Sequence, residues 1–105
     1  SLVVPGQDNS FHVYSSTQNP GQVQYDVGIV LGIESSKVRA SVMQNGGGFG
    51  GKQDQPSPVA TRAAVAAQKR GRPVRLSLER REDMRQSGGS RALYIKYKAG
   101  VTAEG

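Results

Sequence analysis

The sequence has no cysteine and a single histidine, His12. Disulfides and thiolate metal sites are therefore excluded, and no set of imidazoles is available for a zinc site or a catalytic triad. Any metal has to arrive inside a cofactor. Long apolar runs are missing too: no stretch approaches the roughly 18 apolar residues of a membrane span, and no basic segment followed by an apolar run opens the chain. Neither a membrane anchor nor a signal peptide is expected. The 105 residues, 35% of them hydrophobic, supply one domain's worth of sequence with enough apolar content for a core.

Acidic charge is scarce in one half only. Residues 1–55 carry three basic and four acidic side chains, whereas residues 56–105 carry eleven and four, so the net charge of +6 resides in the C-terminal half. Such asymmetry suits a nucleic acid, an anionic cofactor or an acidic neighbouring surface, and charge alone does not choose among them.

Along the chain, Leu2 to Val4 and Phe11 to Ser15 read as two strands, joined by the turn residues Pro5-Gly6-Gln7-Asp8-Asn9. Asn19-Pro20 supplies a cap followed by proline, and Val23, Val27, Val30 and Leu31 follow at helical spacing. A helix over about 20–31 is expected, with Gly32 as its stop. Val38, Ala40 and Val42 alternate with Arg39, Ser41 and Met43, the pattern of a half-buried strand. Ser57-Pro58 repeats the cap-then-proline signal before an alanine-rich helix that ends near Gly71. Val74, Leu76 and Leu78 predict another strand, Arg80 to Gln86 a short charged helix, and Leu93, Ile95 and Tyr97 a last strand. The order ββαβ, glycine loop, αβ(α)β predicts an α/β (α+β) fold with helices packed on a mixed sheet. Because both termini fall within patterned sequence, residues 1–105 are read as a single partial domain cut at both ends.

Five of the six residues from Gly46 to Gly51 are glycine, interrupted only by Phe49. A run of this kind weakens regular structure, and its usual purpose is to let peptide N–H groups approach a ligand. It follows a predicted strand and precedes a predicted helix, an arrangement that favours anions. A phosphate-binding P-loop requires Ser or Thr after Gly51-Lys52, and Gln53 stands there instead. Gly46, Gly48 and Gly51 satisfy Gly-x-Gly-x-x-Gly, yet the acidic residue expected about twenty positions later falls in the basic stretch Arg70 to Arg75.

A rival reading rests on Arg70-Gly71-Arg72-Pro73, which resembles an AT-hook that inserts arginines into the minor groove of A·T-rich DNA. Its location between a helix and a strand argues instead for a helix C-terminus, with Lys69 and Arg70 on the dipole and Gly71 as cap. Glu79, Glu82 and Asp83 stand among Arg75, Arg80, Arg81 and Arg85, as solvated ion pairs do. His12 lies on a strand without a second catalytic partner in sequence.

At Gly46-Gly47-Gly48-Phe49-Gly50-Gly51-Lys52 the sequence resembles the xanthine dehydrogenase and aldehyde oxidase family of molybdenum hydroxylases. Ser16-Thr17-Gln18-Asn19, Gly71-Arg72-Pro73-Val74-Arg75, Glu82-Asp83-Met84 and Gly88-Gly89 look like further markers of that family in the same order. The resemblance implies a segment of the molybdopterin-binding domain, with Gly48, Phe49 and Gly50 binding the cofactor and the Phe49 backbone near the molybdenum centre. It also implies that Gln53 contacts substrate at a position where xanthine dehydrogenases usually carry glutamate. A neutral glutamine leaves aldehydes and other N-heterocycles open beside xanthine.

The parent implied is an oxidoreductase that hydroxylates xanthine-like N-heterocycles or aldehydes with water as oxygen source, as in purine catabolism. Mo-molybdopterin is expected here, with 2Fe-2S iron–sulfur clusters and FAD elsewhere in a homodimeric parent, cytoplasmic or peroxisomal. The family's general base and substrate-binding arginine have no counterpart in residues 1–105, so no catalytic residue is assigned and the segment alone is expected to be inactive. Small-molecule substrate and the rest of the parent chain are the expected partners, with neither membrane nor nucleic acid.

Overall fold

The computed structural model describes residues 1–89 and 92–105. Its first two strands, β1 (Leu2–Pro5) and β2 (Phe11–Ser15), form an antiparallel hairpin in which Val3 faces Val13 and Pro5 faces Phe11. The connection closes through Gly6 N–H to the Ser10 carbonyl at 2.8 Å and Ser10 N–H to the Gln7 carbonyl at 3.1 Å. Asp8 and Asn9 adopt φ of 55° and 56°, a left-handed geometry that these two residue types tolerate best after glycine.

Helix α1 (Pro20–Leu31) begins where the Asn19 side chain accepts the Gln22 N–H at 3.1 Å, with Pro20 needing no amide partner in the first turn. Gly32 ends it at φ 66°, its N–H returned to the last turn. Val23, Val27 and Leu31 turn inward at i, i+4 and i+8, whereas Val30, expected with them, is 51% exposed. The helix is the crossover that lets β3 (Val38–Val42) run parallel to β2, pairing Phe11 with Val38 and Ser15 with Val42. A single 3₁₀ turn, Ser35–Lys37, leads into β3.

Helix α2 (Pro56–Arg70) starts two residues earlier than its sequence signal. Gln55 is the cap residue and Ser57 lies inside the first turn, because Pro56 already occupies a position whose amide has no intrahelical acceptor. Pro58 is accommodated in the same turn for that reason. Gly71 closes the helix at φ 60°, donating to the Ala67 carbonyl at 2.8 Å. Strand β4 (Val74–Arg75) then pairs antiparallel with β1, giving the order β3-β2-β1-β4 in one mixed sheet. The strand expected through Leu78 is formed only over Val74–Arg75, with Leu76 still exchanging two bonds with Ser1, both 2.9 Å.

The two long helices contact each other, α1 packing against β3 and α2 against β1. Val3, Phe11, Val13 and Val38 from the sheet meet Val23, Val27 and Leu31 from α1 and Ala60, Ala63, Ala64 and Ala67 from α2. Each buried valine contributes about 1.5–3 kcal/mol relative to exposure. Alanine at four facing positions brings the α2 backbone close to the strands. The short helix α3 (Arg80–Gln86) opens on a reciprocal cap between Glu79 and Glu82 and is tied to α2 by Arg62 donating to Gln86 Oε1 at 2.5 Å. Asp83 pairs with Arg80 at 3.5 Å, so the acidic residues of this segment serve its helix rather than a site.

The strand predicted at Leu93, Ile95 and Tyr97 is not formed, and those side chains are 79%, 72% and 88% exposed. Alternation sets which side chains share a face, but a strand also needs a neighbouring backbone, and among the described residues none pairs with it. Among those residues no helix is long and apolar enough to cross a membrane.

Candidate functional site

Strand β3 runs directly into the glycine-rich loop. Three residues there have positive φ: Gly46 at 61°, Phe49 at 50° and Gly50 at 82°. Gly51 N–H donates to the Gly48 carbonyl at 2.8 Å, so Phe49 and Gly50 are the central pair of a tight turn with consecutive left-handed residues. For a phenylalanine that geometry is unfavourable by about 1–3 kcal/mol, and the ring is fully exposed at the tip. The surroundings must therefore impose the conformation.

They do so through the segment between β2 and α1. Gln18 Oε1 accepts the N–H groups of Gly50 at 3.0 Å and Lys52 at 3.2 Å, while Gln18 N–H donates to the Lys52 carbonyl at 2.8 Å. The buried Thr17 hydroxyl donates to that carbonyl at 3.1 Å and accepts the Asn19 N–H at 3.0 Å. The Lys52 ammonium bridges the loop, donating to Ser16 Oγ at 3.3 Å and to the Asn45 carbonyl. In sequence Ser16-Thr17-Gln18-Asn19 reads as a family marker, with a structural task evident only for Asn19, the helix cap. A polar run between a strand and a capped helix was the signal, since its side chains have no secondary-structure partner of their own.

Beyond the turn lies a cleft of about 380 Å³. The loop contributes Phe49, Gly50 and Gly51, the start of α2 contributes Asp54 and Gln55, and the chain after α3 contributes Gly88 and Gly89. Nothing lies within 4 Å of the position a Cβ would take on Gly50 or Gly89, so both walls present bare backbone to open space. The N–H groups of Gly50 and Gly51 are already bonded inward, to Gln18 Oε1 and to the Gly48 carbonyl, so what the glycines offer the cleft is close approach of a ligand to bare backbone.

Of the residues singled out in sequence, Phe49 and Gly50 line this cleft, and Gly48 forms the turn's base. Gly88 and Gly89 join them from nearly forty residues away in sequence. Gln53 is exposed and lies outside the lining. Arg70-Gly71-Arg72-Pro73 is the capped end of α2 leading into β4, the arrangement that its sequence context favoured over an extended DNA hook. His12 lies on the sheet, stacked on Tyr14 at 4.0 Å and bonded to Ser41 Oγ at 2.8 Å. Burial and the neighbouring Arg39 hold its pKa below the ordinary imidazole value of 6.5. Among the described residues no group of three or more His, Cys, Asp or Glu is placed to hold a metal.

The model of the molybdopterin cofactor-binding domain matches residues 1–105. Aldehyde oxidase 4 of Arabidopsis thaliana is 44% identical over 105 residues, which are 100% of this chain and 8% of that protein. Aldehyde oxidase 3 of Mus musculus is 45% identical over 104 residues, covering 98% of the chain and 8% of the relative. Xanthine dehydrogenase of Blastobotrys adeninivorans is 45% identical over 102 residues, covering 96% and 7%. The chain thus spans less than a tenth of the length of these curated relatives. With a backbone-walled cleft at its glycine turn and a family match over its full length, the chain belongs to the molybdopterin cofactor-binding domain family.

Proposed function

We propose that residues 1–105 are part of the molybdenum-cofactor domain of an oxidoreductase that hydroxylates aldehydes or xanthine-like N-heterocycles, with water as oxygen source. The observation that supports this most directly is the cleft between the Phe49-Gly50 turn and Gly88-Gly89, whose glycine walls let a bound group approach the backbone closely. Gly48, Phe49 and Gly50 would hold the cofactor, with the Phe49 backbone nearest the metal. When bound, the cofactor supplies two-electron redox chemistry at carbon.

What the chain itself does is bind and orient. The turn fixes the direction of its backbone groups before any ligand arrives, which avoids the ordering cost on binding. Phe49, fully exposed at the tip, offers an apolar surface to whatever packs against the loop. Gln53, close in sequence to the cleft-lining Asp54, offers a neutral amide to substrate from an exposed position, compatible with an uncharged carbonyl or a ring nitrogen.

The general base, the electron-transfer groups and most cofactor contacts belong to the remainder of a homodimeric, cytoplasmic or peroxisomal polypeptide on this reading. Residues 1–105 contain no cysteine, so thiolate-held 2Fe-2S clusters belong to other domains, as does FAD. The segment alone does not turn over substrate. Metal analysis of the full-length native protein tests the proposal: molybdenum in stoichiometric amount supports it, and an active preparation without molybdenum overturns it.

A further inference from the structure

We propose that the groove between α1 and the start of α2 receives a lysine side chain from a segment of the same polypeptide outside residues 1–105, held there by Asp26, Asp54 and Ser57. This rests on the reading that residues 1–105 are part of a longer oxidoreductase, and it adds a surface by which the rest of that chain is attached.

The groove has a volume of about 440 Å³. Asp26, Ile29 and Val30 line it from α1, and Asp54, Ser57 and Pro58 line it from the start of α2. Ile29 and Val30 are 61% and 51% exposed, although the opposite face of their helix fills the core. Val30, which helical spacing grouped with Val23 and Val27, belongs to this groove instead. The chain carries a net charge of +6, yet the groove holds two carboxylates and no basic side chain. Asp26 accepts from Gln22 Nε2 at 2.8 Å through Oδ1 alone, and among the described residues neither aspartate pairs with a lysine or arginine. Ser57 is 6% exposed, and its Oγ has no hydrogen-bond partner among those residues. A buried hydroxyl left unpaired is the exception in folded proteins, and it calls for a partner from elsewhere.

Each of these features fits lysine. Its four-carbon stem packs along Ile29, Val30 and Pro58 while the ammonium stays at the polar rim. An ammonium has three donors and no acceptor, and the groove supplies three acceptor groups: the second oxygen of Asp26, the Asp54 carboxylate and, after a turn about χ1, Ser57 Oγ. The start of a helix ordinarily favours anions, but Pro56 and Pro58 remove two amides from the first turn of α2, so the carboxylates decide the charge of the guest. An ion pair on an open surface contributes little, and burial of the stem against the aliphatic wall makes this one hold. The chain spans less than a tenth of its curated relatives, so the lysine is assigned to the remainder of the same polypeptide.

The test is carbodiimide coupling of the full-length native protein, which joins carboxylates to amines in direct contact, followed by peptide mapping of the product that runs at the mass of one chain. Asp26 or Asp54 is expected to be linked to a lysine outside residues 1–105. Asp26→Lys is expected to abolish the Asp54 link and lower the denaturant midpoint, and changing the mapped lysine to glutamate in the same protein is expected to restore the midpoint. The absence of any such link, a link only to a second copy or to another protein, or a midpoint that the second change does not restore overturns the inference. If Asp26→Lys does not accumulate, Asp26→Asn takes its place, and an unchanged yield of the Asp54 link counts against the clamp. These readouts do not depend on molybdenum, so an active preparation without the metal overturns the functional reading and leaves this test standing.

Discussion

The side chain of Gln18 occupies the place that a Cβ on Gly48 would need, with Oε1 2.6 Å from that position. One glycine of the run is therefore required by packing and not by its dihedral angles. Gly46 and Gly50 show the opposite case, with positive φ and nothing within 4 Å of a Cβ.

That contrast separates two kinds of glycine substitution. Gly50→Ala introduces no clash but places a side chain at φ 82°, at a strain of about 1–2 kcal/mol. Thermal denaturation of the full-length protein is expected to show a small loss of stability, while molybdenum content falls because the new methyl projects into the cradle. An unchanged content would remove Gly50 from the cofactor wall.

Gln53→Glu is expected to shift the substrate preference of the full-length enzyme towards purines and away from neutral aldehydes, since a carboxylate accepts from ring N–H groups and repels electron-rich carbonyl oxygens. Comparing kcat/KM for an aldehyde and for xanthine in both variants checks this. Equal ratios would leave Gln53 without a part in selectivity.

His12 gives the sheet a pH dependence. Its pKa is depressed in the folded chain by burial first and by Arg39 second, and Arg39 is its partner in the β2–β3 register. Below the ordinary value of 6.5 the unfolded chain then binds more protons than the folded one, so stability rises with pH in that window. The contribution is complete above 6.5 and is lost as pH falls through the folded value. Denaturant midpoints measured from pH 8 down to pH 5 should fall, and the slope should be shallower in His12→Gln.

Ala64 is fully buried in the core that α2 shares with α1 and the sheet. Ala64→Leu adds volume where the helix backbone already lies close, and a destabilisation of about 1–3 kcal/mol is expected from chemical denaturation. Ala66, half-buried on the same helix, should accept the same change with a smaller loss.

Arg70→Ala/Arg72→Ala is expected to alter stability by no more than about 0.5 kcal/mol per site, as exposed positions do, and to leave activity unchanged. Neither the wild type nor the double variant should bind A·T-rich duplex in a salt-dependent manner. Tight binding at low salt, lost in the variant, would revive the DNA-binding reading.

Local structure was written in the sequence wherever its cause is local. Strand β2, helix α1 and strand β3 coincide with their periodic patterns, and Asn19, Gly32 and Gly71 act as the caps that their residue types announced. The start of α2 was misplaced by two residues because Gln55-Pro56 and Ser57-Pro58 offer competing proline signals, and a proline is equally tolerated anywhere in a first turn.

The glycine run and its family markers were enough to point to the molybdopterin cofactor-binding family, and five glycines around one phenylalanine encode dihedral freedom directly. What tertiary structure alone decided is the company that loop keeps. Gln18 and Thr17 meet Lys52 more than thirty residues later, and Gly88 and Gly89 close the cleft from behind α3. No spacing rule predicts such contacts, because they depend on how the β2–α1–β3 crossover sets the level of one loop against another. The same physics left Leu93, Ile95 and Tyr97 without a ladder: side-chain alternation is a property of sequence, whereas a strand is completed only by a partner's backbone.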